Sequence, residues 1–313
     1  MNGLELSERF YTDCVKPMLS EQFLDILPYL AVGLFGSGSE CFGFDDGVST
    51  DHDFEPGVCI LLPDESVVDR QTAFRLERAY YKLPKEFLGF HRSAIAPVGG
   101  ARHGVLRTAE VFQDKVGSPD GVLTVQQWLT VPEHALAEAT NGRLFFDGYG
   151  EVTRIREGLA RYPEDVRRKK LAGHLLLMAQ AGQYNYRRCL AHGETGAAQL
   201  AVHEFVQHMM AAAFLLNNVY EPYYKWSFRA MRALPKLSLL AETAEYLLST
   251  DNEPSLAESK YDMIEDAAAD VIDELQAQGL TKAICGDLEK HAYSVNDAIA
   301  DGEIRNLHIL AGV

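Results

Sequence analysis

Long apolar runs are missing from this chain. The most apolar stretch, Met209 to Leu216, is eight residues long, far short of the roughly 20 a bilayer-spanning helix needs. Positive charge is scarce. Twenty-nine Lys and Arg face 45 Asp and Glu, for a formal net charge of −16 and a pI near 5.0. That balance argues against broad binding of nucleic acid or of an anionic membrane surface, which both call for a positive face. Paired cysteines are also absent. Cys14, Cys41, Cys59, Cys189 and Cys285 are scattered without a C-x-x-C, so neither a zinc site nor a disulfide framework is indicated, and a reduced cytoplasmic setting is expected. The opening stretch, Met1 to Pro17, carries acids early and lacks the basic-then-apolar layout of a signal peptide. There is no internal repeat and no low-complexity segment.

What is present is enough for one large domain or two ordinary ones: 313 residues, 47% of them hydrophobic. Residues 4–30 read as two helices, broken at Pro17 and restarted by a Ser20 cap. Ala31 to Phe35 reads as a buried strand. Phe54 to Leu62 reads as another, with a bend at Pro56 and Gly57. A helix is expected from Asp69 to Leu83, a loop over Leu88 to Arg102, and a strand from Gly104 to Val111. Beyond Tyr149 the strand signals stop. Val152, Ile155 and Leu159 recur at helical spacing, and Pro163-Glu164-Asp165 starts a helix with acids at its positive end. Ala197 to Val219 should be core. Ser255 and Glu258 read as a capping box for a helix stopped by Gly279, and a last helix pair covers Thr281 to Ile299. Two domains follow, 1–149 and 150–313.

The stretch from Leu34 to Leu62 is the most informative. It opens on Leu34-Phe35-Gly36-Ser37 and carries Asp51-His52-Asp53-Phe54 ahead of the apolar run Val58 to Leu62. On a strand, Asp-x-Asp puts both carboxylates on one face. Two carboxylates that close repel unless a cation lies between them, and magnesium suits such oxygen ligands together with substrate phosphates. Gly36 lets the main chain approach a phosphate, while Ser37 offers a hydroxyl and an amide.

At these residues the sequence resembles the nucleotidyltransferase superfamily with a polymerase beta-like core. The wording GSGSECFGFDD, then STDHDF, is similar to a bacterial branch of unassigned function related to the lincosamide and aminoglycoside nucleotidyltransferases. YPEDVRRKK and NNVYEPYYKW extend the resemblance through the C-terminal half. It implies an α/β (α+β) core with a mixed sheet followed by an all-α helical bundle. It also implies transfer of a nucleoside monophosphate from a triphosphate such as ATP to a hydroxyl-bearing or other nucleophilic acceptor. Asp51 and Asp53 would be catalytic and hold Mg2+, with Mn2+ as a substitute. Gly36, Ser37 and Ser39 would bind the nucleotide, and Lys225 would point towards its triphosphate. The acceptor would bind between core and bundle. The superfamily's third carboxylate, carried on a later strand, is matched only by Glu110, with Asp147 as another candidate. Two rival readings are a non-catalytic nucleotide-binding module and a toxin–antitoxin-like protein acting on RNA or on a protein partner.

The remaining clusters have blander readings. Arg167-Arg168-Lys169-Lys170 is expected on a solvated helix face. His91, Arg92, Arg102 and His103 populate a loop that could meet phosphate. Arg187 and His192 have the spacing of a ribonuclease motif found in helical HEPN domains, a weak signal. His203 and His208, five apart on a helix, do not share a face as a metal pair would.

Overall fold

Four strands of at most five residues make the sheet of this mixed α/β chain. β5 (Gly104–Arg107), β2 (Cys59–Leu62), β1 (Ala31–Leu34) and β6 (Arg143–Asp147) lie side by side in that order. The computed structural model describes residues 1–47, 55–92 and 103–313. The chain divides into two units: Met1–Leu123 with Val131–Ala160, and Thr124–Thr130 with Arg161–Val313. The division falls after Ala160, later than Tyr149, and one short helix of the intervening region belongs to the second unit.

In the first unit β1 is central and buried along its whole length, which suits its unbroken Ala-Val-Gly-Leu. It runs antiparallel to β2 and β6, whereas β2 and β5 are parallel. Parallel neighbours need a long crossover. The chain supplies one that includes a helix, Arg70–Tyr81, and a small hairpin of β3 (Glu86–Phe87) and β4 (Phe90–His91). Gly33 lets β6 approach at the bulge between Val32 and Gly33, since a Cβ there would lie 2.6 Å from the Arg143 carbonyl oxygen.

The two expected N-terminal helices are one path. α1 (Gly3–Phe10) passes through a π-helical turn, Tyr11–Val15, into α2 (Lys16–Gln22). Pro17 cannot donate to the preceding turn, and the wider π turn accommodates it in the first turn of α2. Ser20 is inside α2 and caps nothing; the chain leaves through a 3-10 turn, Leu27–Tyr29. Phe10, Leu19, Val32, Ile60, Leu76 and Tyr80 form the centre of this unit's core. After β1 come α3 (Ser39–Phe42) and α4 (Arg70–Tyr81), the latter capped by Asp69, whose carboxyl is held below its usual range by the Thr72 amide. Tyr80 hydroxyl bonds both the amide and the carbonyl of Val58 at 3.1 Å, and burial pushes its pKa up to about 12. Arg92 is committed to structure as well. It lies over the rings of Phe10 and Tyr80 at 4.8 and 4.6 Å and donates to three carbonyls. α5 (Thr108–Val116) follows β5 directly, so the expected strand to Val111 stops at Arg107. α6 (Val125–Thr130) belongs to the second unit; α7 (Glu133–Thr140) and α8 (Glu151–Leu159) belong to the first.

The second unit is helical. α9 (Glu164–Met178) continues through a π-helical segment, Ala179–Asn185, into α10 (Tyr186–Ala191) and packs on α11 (Thr195–Leu216). Then come α12 (Tyr224–Arg232), α13 (Leu240–Ser249), α14 (Pro254–Ala277), α15 (Leu288–Asp297) and α16 (Gly302–Asn306). Gly279 does stop α14, with φ +66°. Ser255 lies inside that helix, whose N-cap is Glu253, so the expected capping box is absent.

The basic run on α9 is a correction. Arg167, Lys169 and Lys170 are buried, because helix C-termini leave carbonyls that need donors. Arg167 reaches the Leu215 carbonyl of α11, and Arg168 the Ala298 carbonyl closing α15. Lys169 reaches the Arg305 and Leu307 carbonyls closing α16, and Lys170 the Gly312 carbonyl. No helix among the described residues is long and apolar enough to cross a membrane.

Candidate functional site

β1 ends at Leu34, and Phe35, Gly36 and Ser37 turn the chain out of the sheet. Register fixes what surrounds this turn. Gly33 faces Cys59, Cys59 faces Gly104, and Leu34 faces Arg143. The turn therefore shares one sheet end with the entries to β2, β5 and β6. Gly36 has φ +130°, which glycine adopts and other residues avoid. A Cβ there would meet only the Lys115 side chain, at 3.6 Å, so backbone angle and not space reserves the position.

A side chain locks the turn. Asn141, just past α7, accepts from the Gly36 amide through Oδ1 at 2.9 Å and donates to the Gly36 carbonyl through Nδ2 at 2.8 Å. It replaces the main-chain partner that the departing strand has lost. Its neighbour Gly142 must lack a side chain, since a Cβ would sit 2.0 Å from the Leu34 carbonyl oxygen. Arg156 of α8 braces the same corner. It donates to the carbonyls of Thr140 and Asn141 and lies 5.3 Å over the Phe35 ring. Burial lowers its pKa from the usual arginine value.

An ion pair and an imidazole–carboxylate contact stand at this sheet end. Lys115 in the last turn of α5 places Nζ 3.1 Å from Glu138 Oε2 of α7, with the side chains 22% and 17% exposed. Glu55 Oε1 lies 3.2 Å from His103 Nδ1. Gly57 makes room for that imidazole, because a Cβ there would be 2.5 Å from the ring. Ser37 is exposed at the tip of the turn, and Ser39 is half-buried as the first residue of α3.

Asp51 and Asp53 lie outside the described residues, as do His52 and Arg102. Glu110 is not brought to the turn. It is in the first turn of α5, after the exit of β5, at the opposite sheet end and in the field of Arg70. Asp147 is at that far end too, opposite Ala31. Its carboxylate accepts from the Gly150 and Thr153 amides and the Thr153 hydroxyl, which makes it strand-end punctuation. Lys225 belongs to the second unit, exposed in the first turn of α12 with Nζ 4.9 Å from the centre of the Trp226 ring. Arg187 is taken up by Glu258 and the Tyr261 ring. His208 pairs with His174 of α9, Nδ1 to Nδ1 at 2.9 Å, and not with His203. Among the described residues no group of three His, Cys, Asp or Glu is arranged to hold a metal ion.

Sequence reasoning missed Lys115, Glu138 and Asn141. Nothing in their spacing marks them, since each is brought in from more than 70 positions beyond Gly36 by the packing of α5 and α7. Glu55 did carry a signal: it continues the period of two set by Asp51 and Asp53.

Residues 128–227 match a family model described as Domain of unknown function (DUF4037). No curated protein matches the sequence. Among solved structures, a nucleotidyltransferase-like protein from Exiguobacterium sibiricum 255-15 is similar over 85% of this chain and 76% of its own, at 13% identity and a TM-score of 0.37.

Proposed function

We propose that this chain is a nucleotidyltransferase, moving a nucleoside monophosphate from a triphosphate to a hydroxyl or other nucleophilic acceptor and releasing pyrophosphate. The observation that carries it is the locked Gly36–Ser37 turn at the sheet end where the chain enters β2, a few residues after Asp51-x-Asp53. The Gly36 amide is already used by Asn141, so the donors offered to the β- and γ-phosphates begin at Ser37, with its amide and hydroxyl. Ser39 follows one residue beyond Gly38. Asp51 and Asp53 would supply the hard carboxylate oxygens that magnesium or manganese takes, and a cation held by them would contribute charge neutralisation at the triphosphate. Glu55, steadied by His103, keeps a further carboxylate at this sheet end, a better-placed acid than Glu110.

Calorimetry with ATP, GTP, CTP and UTP, with magnesium and with chelator, tests the reading in wild type and Asp53→Asn. Binding is expected to need the cation and to collapse in the variant. Equal binding by both proteins in chelator overturns it. Mass spectrometry of small-molecule extracts incubated with the tightest triphosphate then identifies the acceptor by its added nucleotide.

A further inference from the structure

We propose that Lys115 is the cation that meets the triphosphate at the Gly36–Ser37 turn, a role that rests on the nucleotidyltransferase reading. The chain carries a net charge of −16, and Glu55 and Glu138 stand at the same sheet end. A polyanionic ligand approaching carboxylates in a negative field requires a local positive group. Within the first unit Lys115 is placed to be that group. Its Nζ lies beside Gly36, on the side from which a Cβ would project. Because residue 36 has no side chain, nothing of its own stands between the ammonium and the main chain of the turn.

Lys115 also has hydrogen-bonding capacity to spare. An ammonium has three donors, and one of them reaches Glu138. Partial exposure keeps the others accessible. Glu138 thus takes up one donor and leaves the side chain unsaturated. The element that carries Glu138 also locks the turn: α7 leads into Asn141, which holds Gly36. Ligand donors at Ser37 and the ammonium of Lys115 are therefore set by one packed corner of the molecule.

The test measures binding of the triphosphate that wild type prefers, and of its monophosphate, with magnesium. Lys115→Ala is expected to weaken triphosphate binding about ten- to hundred-fold, the worth of a hydrogen bond to a charged group, and to leave the monophosphate within about two-fold. Glu138→Gln separates this from a structural role. It breaks the ion pair but keeps the ammonium, so triphosphate binding should stay level or tighten. If Lys115→Ala binds triphosphate like wild type, Lys115 is no ligand contact. If Glu138→Gln loses binding as fully as Lys115→Ala, the ion pair matters only for structure, and the proposal falls. If wild type binds no triphosphate, the nucleotidyltransferase reading fails and this one with it; if wild type binds and only the Lys115 comparison fails, that reading stands.

Discussion

Lys115 and Lys169 are both helical lysines, and their surroundings differ in kind. Lys169 is fully buried, and its ammonium is divided among three neutral oxygens: Asn296 Oδ1 at 2.7 Å, Arg305 carbonyl at 3.0 Å and Leu307 carbonyl at 2.9 Å. Every donor is used, and burial holds its pKa below the ordinary lysine value. Lys115 is partly exposed, with one carboxylate partner and a bare glycine turn beside it. The first arrangement ends helices; the second leaves donors for something else to bind. Lysine count or clustering does not separate the two. The number of acceptors already satisfied does.

The largest effect expected from this contrast is on stability. Lys169→Ala leaves three part-buried acceptors short of a donor and opens a cavity, so unfolding should become easier by about 2–4 kcal/mol, from the lost hydrogen bonds of a charged donor and the cavity. A denaturant titration showing a loss below about 1 kcal/mol would erase the distinction between the two lysines. Asn141→Ala comes next. Two hydrogen bonds to Gly36 disappear and leave a buried amide and carbonyl short of partners, a loss of about 1–3 kcal/mol. Triphosphate binding should weaken along with it, and unchanged affinity would show that the turn needs no lock.

Acid sensitivity sharpens the picture of the second unit. His174 has its pKa pushed well below 6.5 by burial, then by the charge of His208 and of Lys170; His208 is lowered by burial against the opposing pull of Glu204. The unfolded chain takes up these protons near pH 6.5 while the fold resists them. The stabilisation is therefore complete above that pH and is lost as pH falls, by at most about 1.4 kcal/mol per pH unit for each proton that the unfolded chain binds and the fold refuses. Denaturation at a series of pH values from 7 to 5 should show the slope, and His174→Gln should flatten it. The smallest effect belongs to Lys115→Ala without ligand: it removes one hydrogen-bonded ion pair whose side chains keep 22% and 17% of their exposure, so the melting temperature of the free protein should fall less than in Asn141→Ala.

How far the sequence could be read depends on the range of the contacts involved. β1 was legible because Ala31 to Leu34 is an unbroken apolar run, and α4 and the stop at Gly279 because a cap and a glycine announce them locally. The Gly36–Ser37 turn was legible as a motif. Its lock was not, since Asn141 lies 105 residues away. The basic run was misread because charged neighbours on a helix normally face water, and nothing local shows that four carbonyl ends converge on α9. Glu110 is set apart from the Gly36 turn for a topological reason. β5 runs parallel to β2, so the helix following it emerges at the far end of the sheet.

The lock on Gly36 has a chemical side. Asn141 precedes Gly142, the sequence context in which an asparagine side chain is most readily attacked by the next main-chain nitrogen and ages to an aspartate. In this fold that nitrogen donates to the Cys41 carbonyl at 2.9 Å, and both ends of the Asn141 amide are engaged by Gly36. Ring closure therefore waits on local opening of the corner between α7 and β6. Once it happens, a carboxylate oxygen replaces the donor facing the Gly36 carbonyl, and like partial charges push apart a turn that had been held shut. The corner that locks the Gly36 turn is thus also its clock: storage that loosens β6 would register as deamidated protein at position 141 whose Gly36 turn has come undone.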